Sequence, residues 1–167
     1  MKDAATDGAA MNEAAVRIVR ADLDDPAEQA EIVELLDHYA RHPGGGGRAL
    51  DPGVIARIGP GLARFPGSRV FLARDIAGRA VGVAVCFPGY STFQAAPLLN
   101  VHDLAVHESA RGRGIGRALL AAVKEDAAAL GCCRVTLEVY GDNSTARRLY
   151  ERAGFRPTQE FWRCELR

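Results

Sequence analysis

The sequence predicts an α/β fold in one domain, a mixed sheet of about seven strands with about four helices on its faces. Three observations carry that expectation. Runs that suit strands alternate with runs of helical period, in the order β, α, α, β, β, β, α, β, α, β, β. The chain has 167 residues, inside the roughly 100–200 of a single domain. Hydrophobic residues make up 48% and charged residues 25%, which supports a buried core without metal or disulfide staples and excludes wholesale disorder.

Residues 1–14 are small and acidic, and are expected to form a loose tail ahead of a single domain spanning 15–167. They hold no apolar stretch of the signal-peptide kind, so the expectation is a cytoplasmic protein with reduced thiols. Val16–Arg20 alternates apolar and charged residues, as a half-exposed strand does. Asp24 or Asp25 can cap a helix with Pro26 in its first turn. Ile32, Leu35, Leu36 and Tyr39 then recur at helical spacing until His42-Pro43, and Gly44–Gly47 form a loop. A second helix begins after Asp51-Pro52, with Val54, Ile55 and Ile58 as its apolar side, and is expected to stop near Gly59-Pro60-Gly61. Val70–Ala73 and Ala80–Phe87 read as a hairpin joined by Asp75–Arg79. Pro88–Pro97 is expected to be a loop and Leu98–Val106 a third long strand. Gly114–Leu130 is the clearest helix, because Leu119, Leu120, Val123, Ala127 and Leu130 share one face and Gly131 follows. Arg134–Val139 is expected as a strand and Asn143–Ala153 as a helix closed by Gly154. Phe155–Arg156 and Phe161–Leu166 read as two last strands.

Several function classes fall away on composition. No apolar run approaches the ~18 residues of a membrane span. Lys+Arg equals Asp+Glu at 21 each, so no overall field draws nucleic acid. The four cysteines, Cys86, Cys132, Cys133 and Cys164, contain no C-x-x-C, so zinc spacing is missing and no metal is expected. Cys132 and Cys133 read as small hydrophobes at the start of a strand.

The informative segment is Arg111-Gly112-Arg113-Gly114-Ile115-Gly116, between a strand and the long helix. A helix N-terminus has unpaired N–H groups and a partial positive charge, glycines let a ligand approach the backbone, and the arginines add charge. Together these suit a phosphate or pyrophosphate. Two nucleotide motifs fail. A P-loop needs a Lys after its glycines, and none follows here. A dinucleotide fingerprint needs Gly or Ala at its sixth position, which is Arg117 counted from Gly112 and Leu119 counted from Gly114.

The same residues resemble the acetyl-CoA-binding motif of the GNAT superfamily of N-acetyltransferases, [RQ]-x-x-G-x-[GA], through Arg111, Gly114 and Gly116. A second family element is matched by Asn143-x-x-Ala146-x-x-x-Tyr150-x-x-x-Gly154-Phe155. The resemblance covers about Val70–Phe155. It implies a mostly antiparallel sheet with a splayed gap between the fourth and fifth strands, Leu98–Val106 and Arg134–Val139, in which acetyl-CoA lies as co-substrate. It implies that backbone N–H groups of Arg113, Gly114 and Gly116, with Gly112 and Ile115 nearby, hold the pyrophosphate. Backbone groups of Leu104 and Val106, flanking Ala105, are implied to pair with the pantetheine arm, and Asn143 and Arg147 to contact coenzyme A. Tyr150 takes the family's general-acid position, although spacing alone favours its simply packing with Leu149 and Phe155 at a helix end. Where many members carry a Glu base in E-D-[apolar]-x-V, this chain has His102-Asp103-Leu104-Ala105-Val106, so His102 is the candidate base, with Glu138 or a water chain as alternatives. Strict alternation places His102 and Asp103 on opposite faces, so the two are not expected to act as a pair.

His38, Tyr39 and His42 fall where the family's acceptor pocket begins, although a helix-end cluster is also an ordinary surface. Phe161 and Trp162 suit either a wall of the acceptor site or a homodimer contact. The activity implied is transfer of an acetyl group to a primary amine, on a small molecule or a protein, by direct attack. The competing readings are a non-catalytic acyl-CoA-binding or regulatory module on the same fold, which thiol release with an amine panel separates, and a nucleotide-binding protein, disfavoured by the failed motifs.

Overall fold

The computed structural model describes residues 16–158 and 162–164. The expected tail at 1–14, and Phe161 with half of the strand expected over Phe161–Leu166, lie outside the described residues. The elements are β1 (Arg17–Arg20), α1 (Pro26–Arg41), α2 (Pro52–Arg64), β2 (Arg69–Arg74), β3 (Ala80–Ser91), β4 (Ala96–Val106), α3 (Ile115–Ala129), β5 (Val135–Leu137) and α4 (Ser144–Arg152), with 3-10 turns at Pro43–Gly45 and Glu108–Ala110. The strands form one sheet in the order β1-β2-β3-β4-β5. The first three pairings are antiparallel; short turns join β2 to β3 and β3 to β4, whereas β1 reaches β2 through α1 and α2. The last is parallel, because α3 carries the chain back along the sheet before β5 begins.

The sheet therefore has five strands among the described residues, not about seven. Phe155–Arg156 is not a strand. Gly154 takes φ +90°, its N–H donates to the Glu151 carbonyl at 3.0 Å, and the Phe155 N–H donates to the Tyr150 carbonyl at 2.9 Å. That pattern is a Schellman cap, and the apolar residue after the glycine packs back onto the helix. Phe155 accordingly meets Tyr150, ring centroids 6.1 Å apart. Trp162, Arg163 and Cys164 also carry no regular structure.

Two further expectations are corrected. Pro88–Pro97 is not a loop, since β3 continues to Ser91 and β4 starts at Ala96. Pairing of β3 with β2 ends at Cys86–Arg69, so Pro88 sits where no β2 neighbour needs its missing N–H. α2 does not stop at Pro60 but runs on to Arg64, held by burial of Leu62. Gly59 lets it approach α1, since a Cβ there would fall 2.6 Å from the Gln29 side chain.

Alternation along the strands divides the core between two faces. Phe71 and Ala73 of β2 join Leu99, Val101, Ile115, Leu119, Leu120 and Val123 on the α3 face. Val70 and Leu72 join Val83, Val85, Ile32, Leu35 and Leu62 on the α1–α2 face. Cys86 is buried, Cys132 packs half-buried against the α3-face core, and Cys133 and Cys164 are exposed. No described helix is long and apolar enough to cross a membrane.

Candidate active site

The site begins with an irregularity in β4. Its pairing with β3 runs Val85↔Asp103 and then Cys86↔Val101, so His102 has no opposite number. One extra residue in one strand is a β-bulge, and it reverses which side each later residue faces. The core confirms the reversal. Leu99 and Val101 point into the α3 face before the bulge, whereas Leu104 and Val106 do so after it, and Ala105 turns to the α1–α2 face.

The backbone reverses with the side chains. The Leu99 N–H donates toward the β5 side, to the Arg134 carbonyl at 3.1 Å. The His107 N–H donates to the Val81 carbonyl of β3 at 2.9 Å. Ladder alternation then turns the polar backbone groups of Ala105 toward β3, paired with Val83, and those of Leu104 and Val106 away from it. On that side β5 has already departed, since its pairing covers Leu99 to Val101 and stops at Leu137. The two strands thus separate beyond Val101, and the Leu104 and Val106 groups line the opening. The Val106 carbonyl is taken within the chain, accepting from Arg111 Nε at 3.1 Å.

The bulge also corrects the expected separation of His102 and Asp103. His102 Nδ1 lies 3.0 Å from Asp103 Oδ2. Both side chains face the α1–α2 side, where the His102 ring meets Phe87 edge-on at 5.5 Å. The hydrogen bond to Asp103 holds the His102 pKa above its ordinary value, against the opposing effect of burial, and the charges of Asp103 and Glu138 add to the rise.

From Val106 the chain passes through the 3-10 turn into the glycine segment. Gly112 and Gly114 both take φ +76°, a left-handed conformation that glycine adopts without strain. α1 is capped by the Asp25 side chain, α2 by Asp51 and α4 by Asn143. α3 has Gly114 at that position and no side-chain cap. Its first intrahelical bond is from the Ala118 N–H to the Gly114 carbonyl, so the N–H groups of Ile115 and Gly116 have no partner inside the helix. This arrangement fits an anionic diphosphate. Ile115 offers only its backbone, its side chain being 3% exposed. Arg113 is exposed. Gly116 has a different reason to be glycine: a Cβ there would fall 2.9 Å from Leu149 Cδ2 of α4.

Leu149 stands one residue before Tyr150 on α4. Tyr150 packs against the α3-face core, and burial, with the nearby Tyr39 adding, pushes its pKa up to about 12. Asn143 Oδ1 accepts from the Ala146 N–H at 3.0 Å, so its amide nitrogen is the end left for other partners. Arg147 Nη1 donates to the Gly141 carbonyl at 3.1 Å and is exposed. Glu138 follows β5 and accepts from Asn100 Nδ2 of β4 at 3.2 Å.

α1 closes the other side. Tyr39 donates to the Gly44 carbonyl at 2.8 Å, and burial raises its pKa, with Asp103 and Tyr140 acting in the same direction. The His38 ring stacks on His107 at 4.3 Å. His42 accepts from the Gly44 N–H through Nδ1, and so caps the 3-10 turn. Trp162 is 85% exposed. Sequence reasoning set Asp103 apart from His102 and did not name Tyr140, which acts on Tyr39. Asp103 had a signal: the apolar set steps from Leu99 and Val101 to Leu104 and Val106, a spacing of three where alternation requires two.

A model of the acetyltransferase (GNAT) family matches residues 30–155, three quarters of the chain. The chain belongs to the GNAT acetyltransferase family. A mycothiol acetyltransferase of Gordonia bronchialis is 34% identical over 132 residues, 77% of this chain and 40% of that protein. An L-ornithine N5-acetyltransferase of Arabidopsis thaliana is 34% identical over 85 residues, 51% of this chain and 37% of that protein. This GNAT chain spans about two fifths of the length of the curated relatives it matches. The fold superposes on a transcriptional regulator from Bacillus halodurans with a TM-score of 0.78 at 23% identity, covering 91% of this chain and 100% of that one, a likeness of fold alone.

Proposed function

We propose that this GNAT domain transfers an acetyl group from acetyl-CoA to a primary amine by direct attack. The observation that carries the reading is the uncapped, left-handed start of α3, continuous with the open edge of β4. The backbone N–H groups from Gly112 to Gly116 hold the diphosphate, with Arg111 and Arg113 adding charge. Leu104 and Val106 bind the pantetheine arm through the opening, and one of their N–H groups polarises the thioester carbonyl where negative charge develops. The Asn143 amide nitrogen and Arg147 contact the coenzyme from α4. Acetyl-CoA supplies the acyl group; no metal enters this reading.

The amine nitrogen forms the new bond to the carbonyl carbon as the carbon–sulfur bond breaks. His102 takes the proton that the amine loses, and Tyr150 gives one to the departing thiolate. A tyrosine with its pKa near 12 stays protonated across the neutral range, as an acid must. A primary amine acceptor is in keeping with the relative named for the N5 nitrogen of ornithine.

Thiol release from acetyl-CoA, measured with a panel of amines, tests the proposal. Turnover with at least one amine is expected. Tyr150→Phe is expected to lower kcat by about 10²–10⁴-fold, with acetyl-CoA affinity by calorimetry unchanged. Tight acetyl-CoA binding with no thiol release from any amine overturns the proposal in favour of a non-catalytic acyl-CoA module.

A further inference from the structure

We propose that Asp103 is a positioning residue for His102, holding the proton on Nδ1 so that Nε2 is the atom that accepts a proton from the incoming amine. The inference rests on the acetyltransferase reading and adds to it a residue with no direct part in the chemistry.

The geometry carries it. An ionised carboxylate can only accept, so its 3.0 Å contact with His102 Nδ1 requires the hydrogen on that nitrogen. In the neutral imidazole the other nitrogen then holds the lone pair. Phe87, edge-on to the ring, restricts its plane. The pairing exists only because the bulge sets two successive residues on one face. It contributes little to stability, since the His102 side chain is 61% exposed and solvent screens such pairs. Orientation and basicity are what it changes. The charged groups acting on His102 are Asp103 on its own strand and Glu138 beyond β5, while Tyr39 lies within electrostatic reach of both Asp103 and Tyr140. Both carboxylates raise the histidine. The base must be unprotonated, so kcat/KM falls as pH drops through a value above that of an ordinary histidine.

Two measurements on the full chain test this. Nitrogen-15 NMR of His102 reads the tautomer without any turnover. Hydrogen on Nδ1 is expected in the native chain at alkaline pH, and its loss in Asp103→Ala. The pH profile of kcat/KM is expected to show its acid limb displaced to lower pH in Asp103→Ala, by about one unit or less for so exposed a pair. Asp103→Asn, whose amide oxygen can still accept from Nδ1, is expected to keep the tautomer while moving the limb. A native tautomer with hydrogen on Nε2 overturns the proposal. So does an acid limb that stays in place in Asp103→Ala while KM for the amine rises, which makes Asp103 an ammonium-binding group. If no amine is acetylated, the acetyltransferase reading fails, and the tautomer still reports whether Asp103 orients the ring.

Discussion

The two halves of β4 are built from the same kinds of residue and do different work. From Leu99 to Val101 the strand is bonded on both sides, to β3 and to β5, and its apolar side chains are wholly enclosed. From Asp103 to Val106 it keeps β3 and loses β5. One inserted residue, His102, separates the halves. In the first half every polar backbone group serves the sheet, and in the second every other residue presents an N–H group to the opening. A strand can thus supply stability and a binding edge in sequence, provided its alternation is broken once at the join.

Three substitutions separate the halves. The largest effect on stability is expected in the first: Leu99→Ala removes a side chain with no exposure and costs about 2–5 kcal/mol in denaturant unfolding. If the loss is much smaller, the doubly bonded half is not the sheet's anchor. In the second half, Ala105→Pro and Leu104→Pro sharpen the contrast. Proline at 105 removes an N–H that faces β3 and strands a buried carbonyl, so it should be the less stable of the two by about 1–3 kcal/mol. Proline at 104 removes one that faces the opening, so it should lose acetyl-CoA affinity in calorimetry instead. Equal stabilities would mean that the bulge does not reverse the backbone. The smallest effect lies where the second half delivers the chain to α3. Gly112→Ala meets no atom within 4 Å, so only its left-handed backbone resists, at about 1–2 kcal/mol of thermal or chemical stability.

Much of this architecture is legible in the residues. α3, expected over Gly114–Leu130, spans Ile115–Ala129, because its apolar period is strong and glycines stand at both ends. The glycine turn stands where its spacing places it, between β4 and α3, since positive-φ positions are few and glycine marks them. Other features depend on what lies across from a residue. Phe155 has strand chemistry but serves as the apolar partner of a helix cap, which only the Gly154 backbone decides. Pro88 marks a loop by composition, yet its strand simply outlasts its β2 neighbour. Asp103 was hidden because alternation is assumed uniform along a strand, and the bulge that joins it to His102 is a property of two strands together.

The close approach of Gly116 to Leu149 has a consequence for how this chain can change. Leu149 precedes Tyr150, so an atom added at 116 first meets a leucine methyl beside the phenol, and that methyl can turn aside by a change of rotamer. The glycine motif and the tyrosine motif therefore touch through one yielding side chain. A small addition at 116 is expected to be absorbed by Leu149 before it reaches the phenol, and a bulky one to press on α4 itself.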